Sequence, residues 1–555
     1  MKLMECVPNF SEGRDQKVLD AIAGVIRTVN NVTLLDVDPG ADTNRTVFTM
    51  AGAPEAVVEA AFLAIKKAAE LIDMSKHHGE HPRMGATDVC PFIPISDMTM
   101  DECAEWAKVL GERVGRELKI PVYLYEHAAS KPEWKNLATV RQGEYEALAD
   151  KAKDPAWKPD FGPHEFNAKS GATAISAREF LIAYNINLNT RDKKKAHELA
   201  LMIRESGRPA KGADGKQLKD EKGNKVILPG LFQYCKAVGW YIDSYNRAQI
   251  SINLTNYKLT PAHIVLEKVR ELAQEMGIQV TGSELVGLIP KAALLDAGKF
   301  YLKRLGESAG IPERMILETA VQSMGLTDLG EFDIDKKVIE YTIAKQDALV
   351  NLTLTSFCDL LSTDAPAPGG GSVAALCTAM SGALTAMVSN LTVDKKGYEK
   401  VQDAVRDLAE KAQPIKEKAL ACIDKDTDAF NLMMDAMRLP KKTEEEIAAR
   451  NAKLEESTQK AILVPFETLE LSLSAVELAQ QVAAVGNTNA LSDAGVGALT
   501  ALTGAKAAYY NILINLKSIT TQAFIDDILT QSAALIAKIE SIAVAVEQEV
   551  ISRMK

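Results

Sequence analysis

Along residues 1–340 the spacing of apolar positions switches repeatedly between a period of two and a period near that of a helix. Val32–Val37 is β-branched and reads as a strand, and Pro54–Ile72 reads as an amphipathic helix. The alternation continues with strand Val89–Ile95, helix Met100–Leu118 and strand Pro121–Tyr125. A second series opens with the β-rich run Phe180–Leu188, followed by helix Lys193–Arg204 and strand Gln249–Leu254. A further helix starts at Thr260-Pro261, with Thr as cap and Pro in the first helical position, and ends at Gly277 before strand Gln279–Gly282. Strands alternating with helices of this length predict two α/β layers. The charged, glycine-rich stretch Gly207–Gly223 has no apolar period and predicts an exposed loop or hairpin.

Beyond about residue 340 the strand period disappears. Helical runs take over at Val373–Leu391, Tyr398–Asp435, Thr443–Ala484, Asp493–Lys517 and Gln522–Arg553, which predicts an all-α domain, an antiparallel bundle. Ala375, Ala379, Gly382 and Ala386 recur at spacings of three and four, so the backbones of neighbouring helices can approach closely. The fold class is therefore multidomain: two α/β (α+β layered) subdomains followed by an all-α helical bundle. The boundaries fall at 1–179 and 180–340 for the subdomains, 341–349 for a linker and 350–555 for the bundle. Ala365–Val393 carries no charge, but Ala, Ser, Thr and Gly dominate it, which suits a buried helix better than a membrane span.

The chain's 555 residues suit three or four domains. A net charge of −11 opposes non-specific binding to nucleic acid or anionic membrane, and 6% aromatics is poor for stacking on single strands. Seven scattered cysteines form no CxxC pair, so a reducing cytoplasm fits better than a disulfide framework or a zinc site. The opening Met1–Glu5 bears an acid and no long apolar core, unlike a signal peptide.

Five segments hold residues fit for chemistry. Lys76–Ala86 carries His77, His78 and His81 between a helix and a strand, where a general base, a metal site or plain surface histidines are the alternatives. No spacing there matches a helical HExxH, and adjacent His77 and His78 do not converge easily on one ion, so no metal is expected. Phe161–Thr173 turns sharply and either cradles a planar ligand with its backbone or merely connects the two series. Ala365–Ser372 leads directly into a helix whose first N–H groups suit an anion, with a linker and cap as the equal alternative. Asp424 and Asp428 share a helix face, and Asp426 points roughly 200° away. One acid turned inward there would have a raised pKa and could shuttle protons. In Gly486–Asp493, Ser492 or Asp493 is a natural N-cap.

Together with other stretches these segments resemble the formimidoyltransferase-cyclodeaminase family, a bifunctional folate enzyme of histidine breakdown. The resemblance rests on Val7–Gly13, Leu34–Asp38, Thr43–Val47, Gly79–Ala86, Asp160–Pro163, Phe180–Leu188 and Leu285–Pro290. In the helical part it rests on Ala367–Ala375, Ala436–Lys441 and Asn511–Leu516. It implies a formimidoyltransferase of two subdomains with folate held in a cleft between them, then a cyclodeaminase. The family's catalytic histidine falls on His81, and Asp38 matches an acid near the reacting nitrogen. Its folate-binding loop falls on Gly162, Pro163, His164, Glu165, Phe166, Asn167, Ala168, Lys169, Ser170 and Gly171, although Asn167-Ala168-Lys169 departs from the family's more apolar version. The cyclodeaminase aspartate falls on Asp426, with Gly370, Gly371, Ser372 and Asp493 as ligand candidates. Arg45 and Arg83 are candidates for the substrate carboxylates, because guanidinium binds carboxylate as a fork.

The expected reaction moves the formimino group from formiminoglutamate to polyglutamylated tetrahydrofolate, a co-substrate, with no tightly bound cofactor and no metal. Cyclisation to methenyl-tetrahydrofolate with release of ammonia follows. The alternatives are a cyclohydrolase in the helical domain or a non-catalytic folate-binding scaffold, whose sequence signature would be loss of His81 or Asp426. The expected partners are these small molecules, with no nucleic acid, no membrane span, and self-association through the helical domain.

Overall fold

The computed structural model describes residues 2–40, 44–78, 82–212, 217–220, 223–242, 245–343 and 348–555. The chain divides into two compact units, Met1–Ala297 with Val321–Ala344, and Gly298–Ala320 with Lys345–Lys555.

The first unit contains a seven-stranded sheet of β1 (Leu3–Cys6), β2 (Asn9–Phe10), β3 (Val32–Gly40), β4 (Arg45–Gly52), β5 (Thr87–Ser96), β6 (Val122–Glu126) and β7 (Thr173–Ala177). Its order is β1-β4-β2-β5-β7-β6, with β3 also paired to β4. β7 runs parallel to β5 and β6, and the other pairings are antiparallel. Phe10, Phe48 and Phe92 from this sheet share a buried core with helices α1 (Gln16–Arg27), α2 (Pro54–Leu71) and α3 (Met100–Arg113). Each helix starts where local chemistry dictates. Asp15 accepts the Lys17 N–H ahead of α1, Pro54 opens α2, and Thr99 with Glu102 forms a capping box on α3. A π turn, Val114–Leu118, continues α3. There Gly115 lies so close to Gly162 that a Cβ would sit 2.4 Å from its nitrogen. Two short helices, α4 (Leu137–Val140) and α5 (Leu148–Lys151), fill the path from β6 to β7.

The same unit continues with β8 (Ile182–Leu188) and α6 (Lys193–Ile203). The insert is a hairpin of β9 (Arg208–Pro209) and β10 (Ile227–Leu228), extended by bridges Lys211–Gln217 and Lys219–Lys225. β11 (Cys235–Ile242), β12 (Arg247–Leu254), α7 (Ala262–Glu275) and β13 (Val280–Val286) complete an antiparallel sheet of order β11-β12-β8-β13. Thr260 does not cap α7 as expected. Its hydroxyl donates to the Gln233 carbonyl at 2.7 Å, and the helix begins after Pro261 without a side-chain cap.

Next come α8 (Lys291–Leu305), α9 (Glu313–Met324), α10 (Ile334–Lys337) and α11 (Ile339–Thr342). Residues 298–320, parts of α8 and α9 with the turn between them, group with the helical unit rather than with the sheets. The Gly310 carbonyl accepts side-chain amides of Asn390 at 2.7 Å and Gln413 at 3.0 Å. A Cβ on Gly310 would lie 2.2 Å from that of Ala409.

The second unit is otherwise α12 (Leu354–Leu361), α13 (Gly370–Asn390), α14 (Gln402–Arg438), α15 (Glu444–Val485), α16 (Leu491–Leu516) and α17 (Gln522–Met554), with no strand among its described residues. α13 packs against α14, α15 and α16. Its uncharged, small-residue composition serves that central position. At Gly504 of α16 a Cβ would come within 2.3 Å of the Thr378 hydroxyl on α13, so backbone meets side chain directly. Ser492 and Asp493 do not cap α16. Asn487 caps one turn earlier by accepting the Asn489 N–H, and the turn Thr488–Ala490 runs straight into the helix.

Candidate active sites

Strand alternation sends Met4, Cys6 and Phe10 into the core and Glu5, Val7 and Asn9 to the opposite face. Those three, with Val47 and Thr49 of β4 and Asp36 of β3, floor a cleft of about 360 Å³. Phe180 and Leu181, just before β8, and Ala183 within it face them, with Val286–Leu288 and one cation, Arg178, among the described lining residues. Asp38 stands two residues beyond Asp36, in register with Val47, and is exposed on that same face. Glu5 was not singled out in the sequence. Burial pushes its carboxyl up to about 8, with Arg178 pulling down and Glu340 pushing up.

His81, with Gly79 and Glu80, lies outside the described residues. Its neighbour His77 is structural. It is buried, its Nε2 lies 2.9 Å from the Asn44 carbonyl, and its Nδ1 accepts the Arg83 Nε–H at 3.3 Å. These partners suit a neutral ring that donates through Nε2, and burial lowers its pKa accordingly. Asn44 also receives the Gly13 N–H and donates to the His78 carbonyl, so one amide joins three loops.

Arg83, one of the two candidates for the substrate fork, has protein partners. Its guanidinium is already bidentate on Glu146, at 2.8 and 2.7 Å, and also reaches Glu144. Arg45 is committed differently. It is buried, donates through Nε to Asn9 at 3.1 Å, and shares the Asp88 carboxylate with Arg141. Asp88 is wholly buried and also accepts the Met84 N–H. Two cations over one acid leave surplus positive charge next to the cleft-floor residue Asn9. The Arg141 Nε is buried without a partner.

The loop Gly162–Gly171 lies against the histidine loop. The Met74 and Ala86 N–H groups bond to the Lys169 and Ser170 carbonyls, and Gly85 bridges to Gly171. Gly171 has φ +66°, and a Cβ there would sit 2.2 Å from the Met84 oxygen. Only about 10 Å³ remains between this loop and Tyr123 and Leu148, room for a water at most. Phe166, 40% exposed beside Tyr145, marks the outer side.

In the helical unit, Ser372 at the start of α13 donates its hydroxyl to Asp426 at 3.0 Å, and its backbone N–H bonds to the same carboxylate. A Cβ on Gly371 would lie 2.2 Å from Asp426 Oδ1, so any side chain there displaces the acid. Burial raises the Asp426 pKa, and the Ser372 bonds oppose the rise. Asp424 instead accepts the Leu349 N–H at 2.7 Å, a structural use, and Asp428 is exposed. Asn511, not singled out, lies against Gly370. Asp493 leaves this group: it lies 18 residues from Asn511 on α16, about 27 Å along the helix axis of the same chain. No group of three or more metal-ligating side chains converges among the described residues.

An acid-floored cleft in one unit and a carboxylate held at a helix start in the other define a two-centre enzyme. The profile "Formiminotransferase domain, N-terminal subdomain" matches residues 3–178, "Formiminotransferase domain" matches 183–344, and "Formiminotransferase-cyclodeaminase" matches 353–534. The formimidoyltransferase-cyclodeaminase of Rattus norvegicus is 42% identical over 526 residues, covering 94% of each chain. A glutamate formimidoyltransferase of Streptococcus pyogenes is 42% identical over 54% of this chain and 94% of its own. A methenyltetrahydrofolate cyclohydrolase of Methylorubrum extorquens is 39% identical over 34% of this chain and 90% of its own. The chain belongs to the formimidoyltransferase-cyclodeaminase family.

Proposed function

We propose that the α/β unit transfers the formimino group of formiminoglutamate to N5 of tetrahydrofolate, and that the helical unit closes the product to methenyl-tetrahydrofolate with loss of ammonia. The observation that carries this reading is Asp426, desolvated and held by Ser372 at the start of α13. A carboxyl so placed can give a proton to the departing nitrogen and take one from the ring nitrogen. In the transfer step, His81 is the base for N5, with Asp38, two residues along β3 from the cleft residue Asp36, as its relay. The surplus charge of Arg45 and Arg141 over Asp88 suits a substrate carboxylate. Seven free thiols support a reducing, cytoplasmic setting.

The test incubates the protein with formiminoglutamate and tetrahydrofolate and follows glutamate, ammonia and methenyl-tetrahydrofolate together. The His81→Ala variant is expected to lose glutamate release yet cyclise supplied formimino-tetrahydrofolate at the parental rate, because the two centres belong to different units of the chain. Equal loss of both activities in a folded variant would refute separate centres. The cyclohydrolase relative favours a second reading, in which the helical unit hydrolyses methenyl-tetrahydrofolate. That reading predicts no ammonia.

The helical unit also self-associates in this reading. Only 22% of the most apolar stretch of α17 is buried, and Tyr510, Ile514, Val544 and Ile551 are exposed on α16 and α17. A twofold homodimer is the simplest cover. Light scattering should show at least a dimer, and a monomer at every concentration would exclude it.

A further inference from the structure

Glu5 sits within β1, paired with Ala51 on β4 and with Ile93 on β5. With strands on both sides its backbone is fixed, and its side chain lines the cleft floor beside Val7 and Asn9. It is 3% exposed. A carboxyl taken this far from water strongly disfavours its charged form. The charged groups that face it are Arg178, just after β7, Glu340 on α11, and Asp36 across the floor. Arg178 also donates to the Glu179 carbonyl at 3.0 Å. Burial outweighs the opposing cation, and Glu5 carries its proton at neutral pH, titrating at about 8.

We infer that Glu5 is the general acid of the transfer step, the group that protonates the glutamate nitrogen as it leaves the formimino carbon. The inference rests on the transfer reading above. In that step N5 of tetrahydrofolate bonds to the formimino carbon and surrenders its proton to the base. The bond from that carbon to the glutamate nitrogen then breaks, its electron pair stays on nitrogen, and the Glu5 proton joins it. Glu5, now a carboxylate beside Arg178, regains a proton through the open cleft. One proton leaves N5 and one reaches the glutamate nitrogen, so the turnover balances without a further reactant. This assigns opposite tasks to two groups of the same unit: a base that must start unprotonated and an acid that must start protonated.

The test measures transfer against pH for the full chain, its Glu5→Gln variant and its Arg178→Gln variant, with cyclisation of supplied formimino-tetrahydrofolate as an integrity control. An acid works only while protonated, so parental transfer should fall as pH rises through about 8. Glu5→Gln keeps the shape but has no proton to give. Its kcat should drop roughly a hundredfold to ten-thousandfold, and its residual activity should lose the alkaline fall. Arg178→Gln removes the cation that favours the carboxylate, so its alkaline fall should move to higher pH. This variant decides the matter if Glu5→Gln fails to fold. Transfer by Glu5→Gln within threefold of the parent, an alkaline fall that persists in it, or an unmoved fall in Arg178→Gln would each overturn the assignment. A parental chain that releases no glutamate would instead overturn the transfer reading itself.

Discussion

Asp426→Asn is expected to stop ammonia release while formimino transfer continues, so formimino-tetrahydrofolate should accumulate. The amide keeps the side chain's shape between Gly371 and Ser372 but exchanges no proton at neutral pH. Loss of general acid–base assistance should slow cyclisation about a hundredfold to ten-thousandfold. The neighbouring acids supply internal controls. Asp424→Asn leaves an oxygen to accept the Leu349 N–H, and Asp428→Asn alters an exposed residue. Each should shift stability by less than about 0.5 kcal/mol and leave ammonia release nearly unchanged. Normal release by all three variants would end the carboxylate mechanism. If Asp424→Asn were the damaging change, the error would lie in the choice of helix face.

Asp88→Ala should produce the largest loss of stability in the α/β unit. Asp88 is wholly buried and serves Arg45, Arg141 and the Met84 N–H together. Removing it strands two confined guanidinium groups without their counter-charge. Breaking such a buried pair from one side costs about 3–5 kcal/mol. Urea unfolding monitored by the tryptophans should show that loss. All four of them, Trp106, Trp134, Trp157 and Trp240, belong to the α/β unit, so their signal reports it alone. Cyclisation by the helical unit should survive in concentrations of urea where transfer has ceased. A change below about 1 kcal/mol would mean that water reaches the two cations and replaces the carboxylate.

The strands that appeared in the sequence were those rich in β-branched and other apolar residues, such as β3 and β8. β4 was missed because it opens on Arg45, whose charge looks like a loop until Asp88 is seen beneath it. β11 was missed because lysine, glycine and tryptophan break its apolar alternation, although Cys235 and Ala237 face inward. The helices were easier, since a 3.6 period survives over many turns, and the uncharged run of α13 already marked a buried position. At the sites, Asp426 was separable from Asp424 and Asp428 by angle alone, but which face was internal depended on α13. Glu5 gave no signal in the sequence. A single acid in Met4-Glu5-Cys6 becomes unusual only when two strands flank it and a cleft opens above it. Arg83 reads as an unpartnered fork in the sequence because Glu146, its partner in the structure, is 63 residues away.

The excursion of residues 298–320 changes what the segment 341–349 means. The chain enters the helical unit at 298, returns to the sheets at 321, and leaves them again after 344. The chain thus passes between the two units three times, at 297/298, 320/321 and 344/345, and not once. Cleavage within 341–349 would break a peptide bond yet leave Gly310 seated under Asn390 and Gln413. A gene split at that point would deliver a helical fragment with an empty socket, and an α/β fragment carrying the plug that fits it.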